Sequence, residues 1–337
     1  MGLLLMAPAG CGAGAQDAVS ERLGEVFRQA HAAGFNGSVL VTRGGAVLYR
    51  ASFGMADQQR GSANVDATRY LGFSVNKPMT AVLVFQQIEA GRLSLDRRLD
   101  GVFPHLVSQP AAAITIGQLL SHTSGVEEII SAHQDRRITP ADLATARVAN
   151  TGKVAYSSSG FVILALVLEA VSGRSYAQLF DEQLRVPAGM RDSGLLRSGE
   201  EVPGLARGYR GRNGRRELAP LGLPPEVMEG AGSLYTTTAD LARFDQALRA
   251  GTLLKEETQK LMYTHVTDDR AYGWSLAEQG GRYFPWHKGS FRGYAAVFVR
   301  QLHRHEMIAI LSNDEEADML ALRTAVLRLL KRDAAGR

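Results

Sequence analysis

The chain has 337 residues, 45% of them hydrophobic and 21% charged, with a formal net charge of +4. Such values fit a globular protein of one large or two ordinary domains with ample core material. Cys11 is the only cysteine, which excludes a disulfide framework and any zinc-type Cys/His spacing.

The first fifteen residues do not read as folded structure. Residues 2–6 form a short apolar run followed by small residues. Ala13-Gly14-Ala15 has the A-x-A form of a leader cleavage site, while Ala9-Gly10-Cys11 is a loose lipoprotein site that offers Cys11 as a lipid anchor. A basic region before the apolar run is missing, and a disordered N-terminus is the alternative. Export to the periplasm or beyond is the expectation. No later segment is apolar over enough residues to span a membrane.

Apolar residues Leu23, Val26, Phe27 and Ala30 lie on one face of a helix expected over 19–33. Residues 37–41 and 46–50 flank Arg43-Gly44-Gly45 and read as a β-hairpin. A helix then runs from Ser74 to about Ala90, with Pro78 tolerable in its first turn. From 96 to 230 the strand signal is faint, and 115–121, 140–149, 159–171 and 176–184 read as helices. Residues 205–223 are a Gly-, Arg- and Pro-rich excursion. Its arginine cluster at 207–216 resembles a nucleic-acid patch in composition, but Gly211-Arg212-Asn213-Gly214 reads better as a solvated hairpin turn. Helix returns over 238–249, strands at 272–276, 293–300 and 306–311, and a last helix covers 317–330.

The economical arrangement is an antiparallel sheet joining both ends of the chain, covered by the first, last and Ser74-bearing helices. The sheet region comprises 19–95 and 231–337, with 96–230 inserted as a helical region and residues 1–18 as leader or disordered N-terminus. A cleft is expected where the two regions meet.

Within this frame Ser74 and Lys77 are the most informative residues. Positions i and i+3 share a helix face, so the lysine sits beside the serine hydroxyl. The chain has six lysines, and no other serine has a lysine three positions on. The pair lies in an apolar frame, 71–73 before it and 81–85 after it. A serine needs a neighbouring base to act as a nucleophile, and a buried lysine can supply one. No serine satisfies the G-x-S-x-G of an α/β-hydrolase elbow; Ser74 has Gly72 before it but Asn76 after.

Several ordered segments give the chain a resemblance to the penicillin-recognising serine enzymes, most of all to the class C β-lactamase branch with its DD-peptidases and esterases. Phe73-Ser74-Val75-Asn76-Lys77-Pro78 resembles the family's S-x-x-K, and residues 114–125 resemble its T-I-x-x-L-L-x-H-T-S-G. Tyr156-Ser157-Ser158 falls where the family has Y-x-N, residues 232–237 where it has G-G-L-x-S-T, and His287-Lys288-Gly289-Ser290 where it has K-T-G or H-x-G.

The resemblance spans about 20–330 and implies an α/β domain plus an all-helical domain with the site between them. It implies Ser74 as nucleophile, Lys77 as its proton acceptor or electrostatic partner, and Tyr156 as a second proton shuttle. The backbone N–H groups of Ser74 and Ser290 would form the oxyanion hole. Gly289 would let a ligand approach the strand edge, Ser158 would face substrate, and His122 would be a buried fold marker. His287 would orient substrate or act on Tyr156, as a cation for part of the time near neutral pH. Arg292 lies beyond the oxyanion position and is either a contact for an anionic substrate or a solvated side chain.

Two departures bear on substrate. Ser158 replaces the asparagine that helps hold a substrate amide, and His287 replaces lysine. Both argue for an esterase or DD-peptidase-like serine hydrolase acting on small ester, peptide or β-lactam-like molecules, rather than an efficient β-lactamase. A class C-type β-lactamase, or a non-catalytic penicillin-binding sensor or binding module, is the alternative. The mechanism calls for no metal or organic cofactor.

Overall fold

The computed structural model describes residues 11–211, 216–267 and 269–335. The front and back of the chain meet in one sheet. The hairpin of β1 (Gly37–Arg43) and β2 (Ala46–Phe53) is joined by β3 (Arg270–Ala271), β4 (Trp274–Glu278), β5 (Tyr283–Phe291), β6 (Tyr294–Gln301) and β7 (Glu306–Ser312). The order is β3-β4-β5-β6-β7-β1-β2, antiparallel throughout. β1 closes onto β7 in unbroken register from Gly37 opposite Ser312 to Arg43 opposite Glu306.

Alternate side chains of the central strands enter two cores. Val39, Val41, Val297, Val299, Ile308 and Ile310 pack beneath α1 (Cys11–Ala32) and α5 (Met319–Ala335), against Leu23, Phe27 and Val326. Their neighbours Leu40, Ala296, Phe298, Met307, Ala309 and Leu311 belong to the larger core on the other face. Strands buried on both faces carry continuous apolar runs, and each Leu, Ile or Phe so buried contributes about 1.5–3 kcal/mol.

That larger core is built around α2 (Asn76–Glu89), a helix buried on nearly every side. It packs against α4 (Ser158–Ser172), whose residues 159–168 are buried. A helix apolar all round belongs in the interior, and among the described residues no single helix is long and apolar enough to cross a membrane. The short α3 (Ile116–Leu120) is started by a reciprocal capping box between Thr115 and Gln118.

The structure departs from the sequence reading in several places. The first helix starts at Cys11, so 11–18 are helical where a leader or disordered terminus was expected; residues 1–10 lie outside the described residues. Residues 140–145 form a 3-10 turn, not a helix to 149, and the helix from Tyr176 widens into a π-helical turn at Phe180–Arg185. In the arginine-rich excursion Tyr209–Arg210 pairs with Glu217–Leu218, while the turn at 212–215 lies outside the described residues. Arg207 pairs with Asp57 at 3.3 Å and Arg216 with Asp314 at 2.7 Å, so these two cations already have partners.

The largest miss is β5. Pro285 and Gly289 are strand breakers in sequence, and His287, Lys288 and Ser290 spoil the apolar pattern. In the sheet β5 pairs with β4 over Tyr283–Trp286 and with β6 over Trp286–Phe291, so from His287 to Phe291 it is paired with β6 alone. The freed edge of β5 faces the turn that carries Ser74.

Candidate active site

Ser74 lies in a 3-10 turn, Phe73–Val75, that leads directly into α2. Phe73 holds a φ of +42°, a left-handed conformation that costs a non-glycine residue roughly 1–2 kcal/mol. It is held there by edge contact with Phe291, ring centroids 5.4 Å apart, and by Tyr294 at 6.0 Å. Strain that tertiary packing over-determines, immediately before a reactive side chain, is characteristic of a functional turn. The Ser74 N–H opens the turn and donates to no described residue.

Lys77 is fully buried one helical turn on. Its Nζ donates to Ser74 Oγ at 2.8 Å, Ser158 Oγ at 3.2 Å and the Ala231 carbonyl at 3.1 Å. These three oxygens satisfy the buried nitrogen. The same Nζ sits 4.9 Å from the centroid of the Tyr156 ring. Tyr156 is 47% exposed and lines, with Ser74, a cavity of about 390 Å³.

Ser158 is placed by the N-terminus of α4. Ser157 caps that helix by accepting from the Gly160 N–H, and the Glu128 carboxylate accepts from Ser158 N at 2.7 Å and Ser159 Oγ at 3.0 Å. A carboxylate at a helix N-terminus is favourably placed against the helix dipole. Glu128 escaped the sequence reading, since it is an acid in an uninterpreted loop that tertiary folding carries to α4.

β5 brings the last motif. The two-residue turn Arg292-Gly293 makes Phe291 and Tyr294 its closing pair, so alternation directs the Ser290 N–H away from β6 and toward the open edge. Among the described residues the N–H groups of Ser74 and Ser290 are thus both without a partner, and both residues line the cavity, as an oxyanion site needs.

Two expectations change here. Gly289 is buried and does not line the cavity; a Cβ there would lie 2.1 Å from the Gly72 carbonyl oxygen, so glycine is required for β5 to reach the Ser74 turn. His287 is 3% exposed, with Nδ1 2.9 Å from the Lys288 carbonyl. Burial, reinforced by the Lys77 charge, pushes its pKa down to about 3. The imidazole is neutral near pH 7, so the part-time cation expected from its sequence position is absent. Arg292 stacks its guanidinium on Phe291 at 5.3 Å.

Cations do line the cavity at positions the motifs do not mark. Lys288 is exposed there, and Arg270 enters from β3. Arg270 Nη1 donates to Ser275 Oγ and Nη2 lies 3.4 Å from Asp269, while its buried Nε has no partner among the described residues.

A serine hydroxyl bonded to a buried lysine, a tyrosine beside both and two free N–H groups can carry acyl transfer, the chemistry of a serine hydrolase that works through an acyl-enzyme. The chain belongs to the Beta-lactamase family, whose model matches residues 23–331. It is 29% identical over 318 residues to penicillin-binding protein 4* of Bacillus subtilis (strain 168), covering 84% of this chain and 69% of that one. Over 261 residues it is 29% identical to esterase EstB of Burkholderia gladioli, covering 65% and 67%. The crystal structure of SurE superposes with a TM-score of 0.82 at 25% identity, over 96% of this chain and 77% of that one. Among such curated relatives the chain spans 53% to 69% of their length.

Proposed function

We propose that the chain hydrolyses small esters or amides through an acyl-enzyme on Ser74, with esterase or DD-peptidase-like activity ahead of β-lactam turnover. The observation that carries this is the 2.8 Å bond from the fully buried Lys77 Nζ to Ser74 Oγ at the floor of an open cavity.

Ser74 Oγ attacks the carbonyl carbon while its proton passes to the deprotonated member of the Lys77–Tyr156 pair, a neutral amine or a phenolate. The carbonyl oxygen takes the negative charge between the N–H groups of Ser74 and Ser290. As the tetrahedral intermediate collapses, the pair returns the proton to the departing alcohol or amine, leaving the acyl group on Ser74. Water then attacks the ester, loses its proton to the same pair, and Ser74 Oγ recovers a proton as the acid leaves.

Substrate preference follows from what the motif positions no longer supply. The Ser158 hydroxyl is engaged by Lys77 and has no amide to offer a substrate, and neutral His287 does not attract a carboxylate. Relatives named as penicillin-binding proteins and as an esterase support the same pair of activities. For an exported role the support is the apolar run 2–6 with its small-residue flank; cell fractionation tests it.

The functional test is intact-mass measurement after brief exposure to a fluorescent penicillin and, separately, a p-nitrophenyl ester, for wild type and Ser74→Ala. Rapid ester turnover that requires Ser74 is the expected result. A long-lived penicillin adduct without ester turnover would favour the sensor reading, and neither signal would overturn the hydrolase.

A further inference from the structure

His122 contacts Tyr156 and both of its chain neighbours. Its carbonyl accepts from the Ala155 N–H at 2.8 Å, and its Nδ1 accepts from the Ser157 N–H at 3.1 Å. Between these two bonds, its ring lies against the phenol, centroids 4.5 Å apart at 29°. The residues on either side of Tyr156 are thus both hydrogen-bonded to one histidine, which also forms the platform for the ring. Among the aromatic rings of the described residues that meet the phenol, His122 is nearer than His287, whose ring is 6.4 Å away, and Tyr156 is otherwise half-exposed.

His122 is itself held against its preferences. It is 4% exposed, its φ is +59°, and its ring also meets Phe161 at 5.2 Å. Only an unprotonated Nδ1 accepts the Ser157 bond, and burial, together with the Lys77 charge, keeps the ring neutral. A satisfied core histidine would need one hydrogen bond and no particular neighbour. This one combines a left-handed conformation, a ring face against the Tyr156 phenol and an acceptor bond to the residue that follows it.

From this clamp we infer that His122 is a positioning residue for acyl transfer, holding the Tyr156 phenol over Lys77. The inference rests on the reading of Tyr156 as a member of the proton-transfer pair. His122 is not among the residues that line the cavity; it acts through Tyr156.

The two halves of the clamp separate by substitution. In His122→Asn the amide oxygen takes the place of Nδ1, keeping the Ser157 bond and tolerating the positive φ, but the ring is lost. In His122→Phe the ring stays and the acceptor goes. The experiment is p-nitrophenyl ester turnover and thermal melting for wild type, H122N, Y156F and the H122N/Y156F double variant, with H122F and H122F/Y156F replacing the asparagine pair if H122N does not fold.

The expected result is a fall in kcat of roughly tenfold to a hundredfold in H122N with KM little changed, as for a misplaced reacting group. The double variant should then be no slower than Y156F alone. H122N turnover equal to wild type beside an impaired Y156F would overturn the inference and leave Tyr156 in the mechanism. Losses that multiply in the double variant would overturn it too, since His122 would then act elsewhere. Wild-type turnover in Y156F would remove Tyr156 from the mechanism, and the inference with it.

Discussion

Gly289 and Gly72 meet backbone to backbone: a Cβ on Gly289 would sit 2.1 Å from the Gly72 carbonyl oxygen and 3.1 Å from the Ser74 nitrogen. The obstacle is main chain, so it cannot swing aside as a side chain would. Gly289→Ala is therefore expected to push β5 off the Ser74 turn, cost about 1–3 kcal/mol of stability, and cut ester turnover by roughly a hundredfold. Urea unfolding and steady-state kinetics on the same preparation check both halves; an unchanged kcat would mean that the two N–H groups need not stand so close.

Lys77 poses the opposite case, a buried charge whose removal should hurt activity more than folding. Methionine keeps the apolar stem but is one atom shorter and leaves the Ser158 hydroxyl and the Ala231 carbonyl without their donor, a cost of about 1–3 kcal/mol. Lys77→Met should melt within a few degrees of wild type while losing about three orders of magnitude in acylation rate. Acylation near the wild-type rate would take Lys77 out of the chemistry.

Acid should destabilise the fold through His287. Its folded pKa of about 3 lies below the ordinary 6.5, so between those values the unfolded chain binds the extra proton. Stability from the neutral ring is present above about pH 6.5 and is lost as pH falls toward 3, at up to about 1.4 kcal/mol per pH unit. Melting curves from pH 7 to pH 4 should fall more steeply for wild type than for His287→Gln; parallel curves would mean the ring titrates alike in both states.

Glu128 holds the start of α4, and with it Ser158. Glu128→Ala removes that acceptor and should cost about 0.5–2 kcal/mol, the usual loss for a helix N-cap. Glu128→Gln keeps an oxygen but no charge and should lose less. Chemical denaturation of the three proteins tests the order wild type, Gln, Ala; an alanine variant as stable as wild type would place the α4 cap on Ser157 alone.

Much of the fold was legible because apolar patterning and caps are local. The strands β1, β2, β6 and β7 and the helices around Phe27, Val82 and Leu166 announce themselves by unbroken or periodic apolar runs. α3 is announced by Thr115 and Gln118, which cap each other within one turn. β5 was illegible for the converse reason: Pro285, His287 and Gly289 oppose strand formation locally, and only pairing with β6 and contact with Gly72 make them favourable. The π-helical turn at Phe180–Arg185 and the left-handed Phe73 and His122 are likewise imposed by packing.

For the site, the i, i+3 spacing of Ser74 and Lys77 on an apolar helix start was enough, from sequence alone, to place a hydroxyl beside a buried ammonium. Helix geometry relates those two atoms whatever surrounds them. Everything whose meaning depends on distant segments was left to the tertiary structure. Burial set the charge of His287, the crossing of β5 over Gly72 set the role of Gly289, and chain-distant Glu128, Arg270 and His122 became neighbours of the chemistry. Sequence patterns report interactions within a few residues, whereas pKa values, glycine requirements and clamps are determined by whatever the fold brings within a few ångströms.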